Sequence, residues 1–350
     1  MPNEIMITSD EEGVGTDVVR VGVLGTGAIA QRLHLPGYVD HPNAEVTAVC
    51  DVEEEKARAV ADEFGAQNHF TDYRTMVESG TVDAVSVCLP NHMHEESVTA
   101  ALDHDLYVLC EKPMATSVAE ADRMIAAADE SEGVLMINQS ERFAPVYQKA
   151  IDLIESGLVG EVQTIRARFS HSGPEGWAPR STWFTDADAS GGGAMVDIGI
   201  HNADLVLSLV GDVDEVMAYT DTLDSDADVE DTAVANLRLG NGGLGTFEVS
   251  WTTDPEKIET QVVGTEGVLT VDKVAGTIAV DLSDERGRVE EIPLPEYRSP
   301  IARFVDAVVA GEDPPVTGEE GREALELVMA IYRAADRREP VAIPLEGGSE

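Results

Sequence analysis

Lysine is scarce in this chain, five in 350 residues, and one of them, Lys112, comes directly after an apolar run, Tyr107–Cys110, that reads as a strand. Further along, Asp197 and His201 stand four apart in a segment of helical character, a spacing that puts both on one helix face. On that face the acid could orient the imidazole or share a substrate with it. A base for a hydroxyl proton and a positive group beside a developing oxyanion are what an alcohol needs when it loses a hydride. An imidazole, titrating near about pH 6.5, suits that proton exchange. The hydride needs an acceptor, and the N-terminal third supplies a place for one. Gly25-Thr26-Gly27-Ala28-Ile29-Ala30 fits G-x-G-x-x-G/A between a strand and a helix, where the glycines admit a pyrophosphate close to the backbone and the helix amides meet its charge. Gly25, Gly27, Ala28 and Ile29 are therefore expected at the phosphates. Asp51 ends the second strand about twenty residues on, where a carboxylate accepts the adenosine ribose hydroxyls and repels a 2′-phosphate. No arginine or lysine follows immediately; Glu53, Glu54 and Glu55 do, so NAD is expected over NADP.

The elements that must hold these residues follow two patterns. From Val18 to about Asn138, apolar runs (Val18–Leu24, Glu45–Cys50, Asp83–Leu89, Tyr107–Leu109, Val134–Ile137) alternate with helical segments (Lys56–Phe64, Ser97–Leu102, Val118–Ala128). Continuous apolar strands between helices imply a parallel sheet covered on both faces. That places Lys112 at the carboxyl edge, where ligands bind in such folds. After a helix at Pro145–Ile154 the strands lengthen and alternate: Val162–Ser170, Val213–Thr220, Ala233–Leu239, Leu244–Trp251, Ile258–Val263 and Val268–Val271, with a hairpin at Gly240-Asn241-Gly242-Gly243. Helices near Ile301–Val309 and Glu319–Ala335 close the chain. The reading is α/β plus α+β: an acidic, flexible tail (1–17), a doubly wound dinucleotide domain (18–140), and a substrate-binding and oligomerisation domain on an open, mostly antiparallel sheet (141–350).

Three further stretches carry a family likeness: Pro90-Asn91-His92-Met93-His94, Glu111-Lys112-Pro113, and Gly191-Gly192-Gly193-Ala194-Met195-Val196-Asp197-Ile198-Gly199-Ile200-His201-Asn202-Ala203-Asp204. With the glycine loop, and in this order, they resemble the glucose–fructose oxidoreductase / inositol dehydrogenase / MocA (Gfo/Idh/MocA) family over nearly the whole chain, about Val18 to Pro344. The resemblance implies a Rossmann domain joined to an open antiparallel sheet, and an NAD(P)-dependent oxidoreductase acting on a secondary alcohol of a sugar, cyclic polyol or nucleotide sugar. It makes Lys112 the catalytic-site lysine, Asp197 a substrate-binding or supporting acid and His201 the proton-transfer residue. It sets Pro90, Asn91, His94, Glu111 and Lys112 around the nicotinamide end, and suggests a cis peptide before Pro113. Other relatives keep NAD bound while cleaving glycosidic bonds, or serve as cofactor-sensing regulators. The intact lysine, acid and histidine argue against a sensor.

Weaker substrate candidates are Arg142, at the crossing between domains, and Arg180 and Trp183, in a Pro/Ser/Trp-rich loop; Asn138, His171 and His34 are further polar residues of interest. Arg142 could bind substrate or lock the crossing by an ion pair. Cys50, Cys88 and Cys110, an odd and scattered set, read as buried strand thiols; neither a disulfide framework nor a metal site is expected. Acidic residues number 67 against 23 basic, a net charge of −44, which repels nucleic acid and anionic membranes. Spread along the whole chain, the acids suggest a high-salt cytoplasm. Nothing at the N-terminus resembles a signal peptide. The outer face of the antiparallel sheet is expected to pair subunits into a homodimer or homotetramer.

Overall fold

The computed structural model describes residues 18–176, 183–225, 227–289 and 292–345. Six strands, β1 (Val19–Leu24), β2 (Ala44–Cys50), β3 (Asn68–Phe70), β4 (Ala84–Val87), β5 (Tyr107–Glu111) and β6 (Leu135–Asn138), form a parallel sheet in the order β3-β2-β1-β4-β5-β6. This is the doubly wound dinucleotide-binding order. Val21, Val23, Ala84, Val85, Val108 and Leu109 are wholly buried because helices cover both faces. Those helices are α1 (Leu35–Val39), α2 (Glu54–Phe64), α3 (Tyr73–Val77), α4 (His94–Leu102) and α5 (Val118–Glu130). Before α1 the helix that follows the glycine loop widens into a π turn at Ala30–His34. Cys50, Cys88 and Cys110 are buried thiols, as expected.

The chain crosses at Ser140–Phe143 into α6 (Pro145–Glu155) and β7 (Val162–Ser170). Beyond α7 (Ala187–Ser190) and α8 (Ile200–Val210) come β8 (Val213–Asp221), β9 (Thr232–Leu239), β10 (Leu244–Ser250), β11 (Lys257–Gly264), β12 (Gly267–Asp272), β13 (Thr277–Leu282) and β14 (Arg288–Val289). Helices α9 (Pro300–Ala310) and α10 (Gly318–Arg337) and strand β15 (Val341–Ala342) finish the fold. The second sheet runs β14-β13-β12-β11-β7-β10-β9-β8-β15 and is antiparallel except for β7 and β10, which pair in parallel. Its strands alternate: in β9, Ala233, Ala235, Leu237 and Leu239 are buried while Val234, Asn236 and Arg238 are exposed. The inner face packs under α6, α8 and α10. Ala187–Val210 is apolar enough by length and composition to cross a membrane, yet 83% of its most apolar window is buried, so here it is a core helix.

The expected division at residue 140 needs one correction. The last helices do not belong wholly to the second sheet, for α9 and α10 return to the first domain. Ile137 N donates to Val316 O at 3.2 Å, and His41 Nε2 lies 3.3 Å from Asp306 Oδ1 on α9. Residues 300–321 thus finish the outer cover of the Rossmann unit and fix the two sheets against each other.

Candidate active site

Strand β5 delivers Lys112 to the carboxyl edge of the parallel sheet, just before a cis Lys112–Pro113 bond. Its ammonium reaches across to the second domain and donates to the backbone oxygen of Asp197 at 2.6 Å and to Asp197 Oδ1 at 3.0 Å. The lysine side chain is 16% exposed and the aspartate 5%, so this pair is largely shielded from water. Trp251, directly after β10, donates its indole N–H to Asp197 Oδ2 at 3.2 Å, and His171 Nε2 lies 4.0 Å from the same oxygen. His171 Nδ1 accepts the Gly173 amide at 2.9 Å, which leaves the ring proton on the nitrogen that faces Asp197.

Asp197 and His201 sit where the helix changes pitch. A π turn spans Met195–Gly199 and α8 begins at Ile200, so the regular four-residue face expected from their spacing is replaced by a widened turn of the kind common at functional sites. The acid consequently does not hold the imidazole: both its oxygens are used by Lys112 and Trp251. His201 stacks instead on Phe169 of β7 (ring centroids 5.9 Å, planes 21° apart), and the same phenyl edges His171 at 6.2 Å. His201 is buried, and its Nδ1 has no partner. Burial, followed by Lys112, Lys273 and His171, holds this imidazole well below its ordinary value, so it is neutral at physiological pH.

The glycine run before this helix has a steric cause. A Cβ on Gly193 would lie 1.9 Å from the Glu230 backbone oxygen. The Glu230 carboxylate accepts the amides of Gly193 (3.0 Å) and Met195 (2.8 Å) and the Tyr332 hydroxyl (2.8 Å), holding the start of the helix that carries Asp197 and His201. Nothing in the sequence flagged Glu230, Tyr332 or Trp251, because each reaches its partner from a distant element.

Several expected contacts turn out to be supports. Glu111, expected at the nicotinamide end, is engaged by protein partners through both carboxylate oxygens. It is buried, with Oε1 accepting from Asn138 (2.6 Å) and bonded to His34 Nε2 (2.7 Å), and Oε2 accepting the Lys112 amide (3.2 Å). His34 Nδ1 meets Ser86 Oγ at 2.7 Å, and Tyr38 joins the same hydroxyl at 2.9 Å. Burial opposes a charged His34, but the Cys88 sulfur and the Glu111 carboxylate outweigh it and hold the ring up at about 10. Because burial also raises the Cys88 thiol, Glu111 is the charge that matters at neutral pH. A charged His34–Glu111 pair thus sits directly behind Lys112. His94, expected at the cofactor, is fully buried with both ring nitrogens against backbone oxygens, Pro113 O and Leu89 O, each at 2.9 Å. It braces the Lys112–Pro113 turn. Asn91 donates to Ser190 O at 2.7 Å, joining the two domains beside the cleft. Arg142, for which two roles stood open, locks the crossing: it clasps Asp204 of α8 (3.1 and 2.5 Å) and Glu320 of α10 (2.5 Å). Trp183 stacks on Phe184 (3.9 Å), and the two line one cleft with Asn91, Lys112, Pro113 and Asp197. Arg180 lies outside the described residues.

The cleft meets the dinucleotide loop along the same sheet edge. Gly25 has φ +86°, and a Cβ there would strike the Cys88 backbone oxygen at 2.4 Å, so the tight turn requires glycine. At Gly27 a Cβ would meet nothing within 4 Å: that face is open, as a backbone approached by a pyrophosphate should be. The exposed Ala28 and half-buried Ile29 begin the helix, whose first amides have no intrahelical partner. Asp51 accepts from Thr26 N (3.1 Å) and Thr26 Oγ1 (2.6 Å), which ties β2 to the loop. Burial alone would raise its carboxyl, but bonds from Lys56, Thr26 and the Glu53 amide hold it below the usual range. These residues fit a dinucleotide.

Comparison with known proteins agrees with this geometry. Residues 19–139 match the model of an oxidoreductase family with an NAD-binding Rossmann fold, and residues 147–270 match a GFO/IDH/MocA C-terminal domain. The chain is 32% identical to D-xylose 1-dehydrogenase (NADP(+)) 2 of Haloferax volcanii, over 90% of this chain and 97% of that one. It is 29% identical to myo-inositol 2-dehydrogenase of Thermotoga maritima, over 93% and 98%. Among solved structures it is similar to the WlbA dehydrogenase of Bordetella pertussis in complex with NADH and UDP-GlcNAcA (TM-score 0.82, 27% identity, 94% of this chain and 100% of that one). The fold also matches levoglucosan dehydrogenase in complex with NADH and L-sorbose (TM-score 0.86, 22% identity, 94% and 100%). The Lys112–Asp197 bridge and the open glycine loop therefore sit in a chain that belongs to the Gfo/Idh/MocA family of NAD-binding oxidoreductases.

Proposed function

We propose that the protein is a dehydrogenase for a secondary alcohol of a sugar, cyclic polyol or nucleotide sugar, with its substrate in the cleft between Lys112, Trp183 and the π turn. The observation that carries this reading is the Lys112–Asp197 bridge. It joins the edge of the dinucleotide sheet to the helix that also bears a neutral, buried histidine. The Gly25–Ala30 loop and Asp51 would hold a dinucleotide, which would supply the hydride acceptor or donor for the carbinol carbon. Lys112 Nζ, fixed by two bonds to Asp197, presents its remaining N–H to the carbinol oxygen and stabilises the charge that develops there, while Glu111 anchors the Lys112 backbone amide. His201, neutral and with Nδ1 unpartnered, takes the hydroxyl proton during oxidation and returns it during reduction. The Trp251 indole bond holds Asp197 so that it cannot collapse onto the substrate.

By their names two relatives act on D-xylose and myo-inositol, and the WlbA dehydrogenase structure holds UDP-GlcNAcA, which supports the sugar and polyol class without choosing a member. The net charge of −44 supports a protein adapted to high salt. On the outer sheet face Tyr219 and Val234 lie opposite each other, 67% and 47% exposed, which supports pairing of two or four copies through that face. The test is an NAD-reduction screen in molar KCl, against inositols, aldoses and nucleotide sugars. Stoichiometric NADH from one of these, lost in Lys112→Met, is the expected result. Glycoside cleavage with no net NADH would overturn the dehydrogenase reading.

A further inference from the structure

Asp51, the residue expected to grip the adenosine ribose, is already heavily engaged. Its Oδ2 receives Thr26 N at 3.1 Å, Thr26 Oγ1 at 2.6 Å and Lys56 Nζ at 2.6 Å, while Oδ1 takes the Glu53 amide at 3.1 Å. A carboxylate offers roughly four lone-pair sites, so Asp51 keeps at most one for a ribose hydroxyl. An acid at this position selects against a 2′-phosphate by gripping the 2′- and 3′-hydroxyls together and by presenting an uncompensated charge. Asp51 does neither in full, because Lys56 cancels the charge and fills Oδ2. Lys56 lies in the first turn of α2, with 38% of its side chain exposed. Of its three N–H donors the Asp51 bond uses one. The amino end of an eleven-residue helix beside it also favours an anion.

We infer that Lys56 converts the adenosine end of this site into one that accepts a 2′-phosphate, so that the protein binds NADP⁺ as well as NAD⁺. This rests on the dinucleotide reading of the Gly25–Ala30 loop. The opposing effect is the field of Glu53, Glu54 and Glu55, all exposed at the start of α2, and of Asp72 nearby. Those charges act without contact and are screened over roughly 3 Å at 1 M salt, whereas a lysine touching the phosphate acts inside that distance. Affinity for NADPH relative to NADH therefore rises with KCl.

The test is equilibrium binding of NADPH and NADH, followed by nicotinamide fluorescence without substrate, at several KCl concentrations, in the wild type and in Lys56→Met and Lys56→Arg. In molar KCl the wild type binds the two within about tenfold of each other. Lys56→Met weakens NADPH at least about tenfold and NADH less than about threefold, compared at a temperature where both proteins are folded. Lys56→Arg, which keeps the charge and suits phosphate, stays within about threefold for both. The inference falls if wild-type NADPH binding is more than about a hundredfold weaker than NADH binding. It also falls if Lys56→Met weakens both cofactors equally, since the lysine then only secures the loop. Binding of neither cofactor to the wild type would instead overturn the dinucleotide site itself, and this inference with it.

Discussion

Replacing Lys112 by methionine keeps the length of the side chain and removes its charge, separating the two things this residue does. The ammonium makes two hydrogen bonds to Asp197, at 2.6 and 3.0 Å, from a side chain 16% exposed. Removing one preorganised donor from a developing oxyanion lowers kcat by about 10²–10³. The loss of an oriented carbinol for His201 to deprotonate adds part of the 10²–10⁴ that general-base catalysis supplies. A fall in kcat of at least ~10³ is therefore expected, with NADH affinity within about twofold. The substitution also strands Asp197, 5% exposed, with Trp251 as its remaining donor. Stranding one member of a buried pair costs about 3–5 kcal/mol, here at the low end because water reaches the lysine side. Adding Asp197→Asn to Lys112→Met should restore the melting temperature and leave turnover where it was. Steady-state kinetics, NADH fluorescence titration and thermal melting on the three proteins read the outcome. Turnover above a tenth of wild type in Lys112→Met, or a loss of NADH binding that matches the loss of kcat, would refute the reasoning.

Three further outcomes are expected. His201 is held well below its ordinary value by burial first and then by Lys112, Lys273 and His171, so its neutral form persists as pH falls through about 6.5. The kcat/KM profile for oxidation should show its acid limb well below that point. The unfolded chain takes up the proton there and the folded chain does not, so His201 costs stability on acidification and His201→Gln should melt less acid-sensitively. Arg142→Ala leaves Asp204, 1% exposed, without its bidentate partner, and should destabilise the fold by about 3–5 kcal/mol while substrate KM stays near wild type in the folded fraction. Melting temperature should climb with KCl, since 67 acids against 23 bases repel one another at low ionic strength; a melt indifferent to KCl would remove the high-salt reading.

The first sheet could be read from sequence because parallel strands buried on both faces are unbroken apolar runs, as in Val19–Leu24 and Ala84–Val87. Strand β3, three residues reading Asn-His-Phe, carries no such run, and β14 and β15, two residues each, are too short to show a period. Lys112, Asp197 and His201 were legible from their types and motifs, whereas the bonds among them were not. The spacing of Asp197 and His201 left the acid either to orient the imidazole or to share a substrate with it, and the π turn and Trp251 turn it to the lysine instead of the imidazole. His94 and Glu111 stand in cofactor-like motifs and act as braces, because their partners are backbone oxygens and a histidine brought in by other elements. Lys56 stands five residues past Asp51 behind three glutamates, and the first turn of α2 folds it back onto the carboxylate.

The most direct measurement is a crystal structure of the protein with NADH and a substrate found by the screen, collected in molar KCl. The account predicts the carbinol oxygen within hydrogen-bond reach, about 2.6–3.2 Å, of both Lys112 Nζ and an imidazole nitrogen of His201, with the carbinol carbon over the nicotinamide ring. A substrate bound with those two side chains on opposite sides of it, neither touching the carbinol, would contradict it.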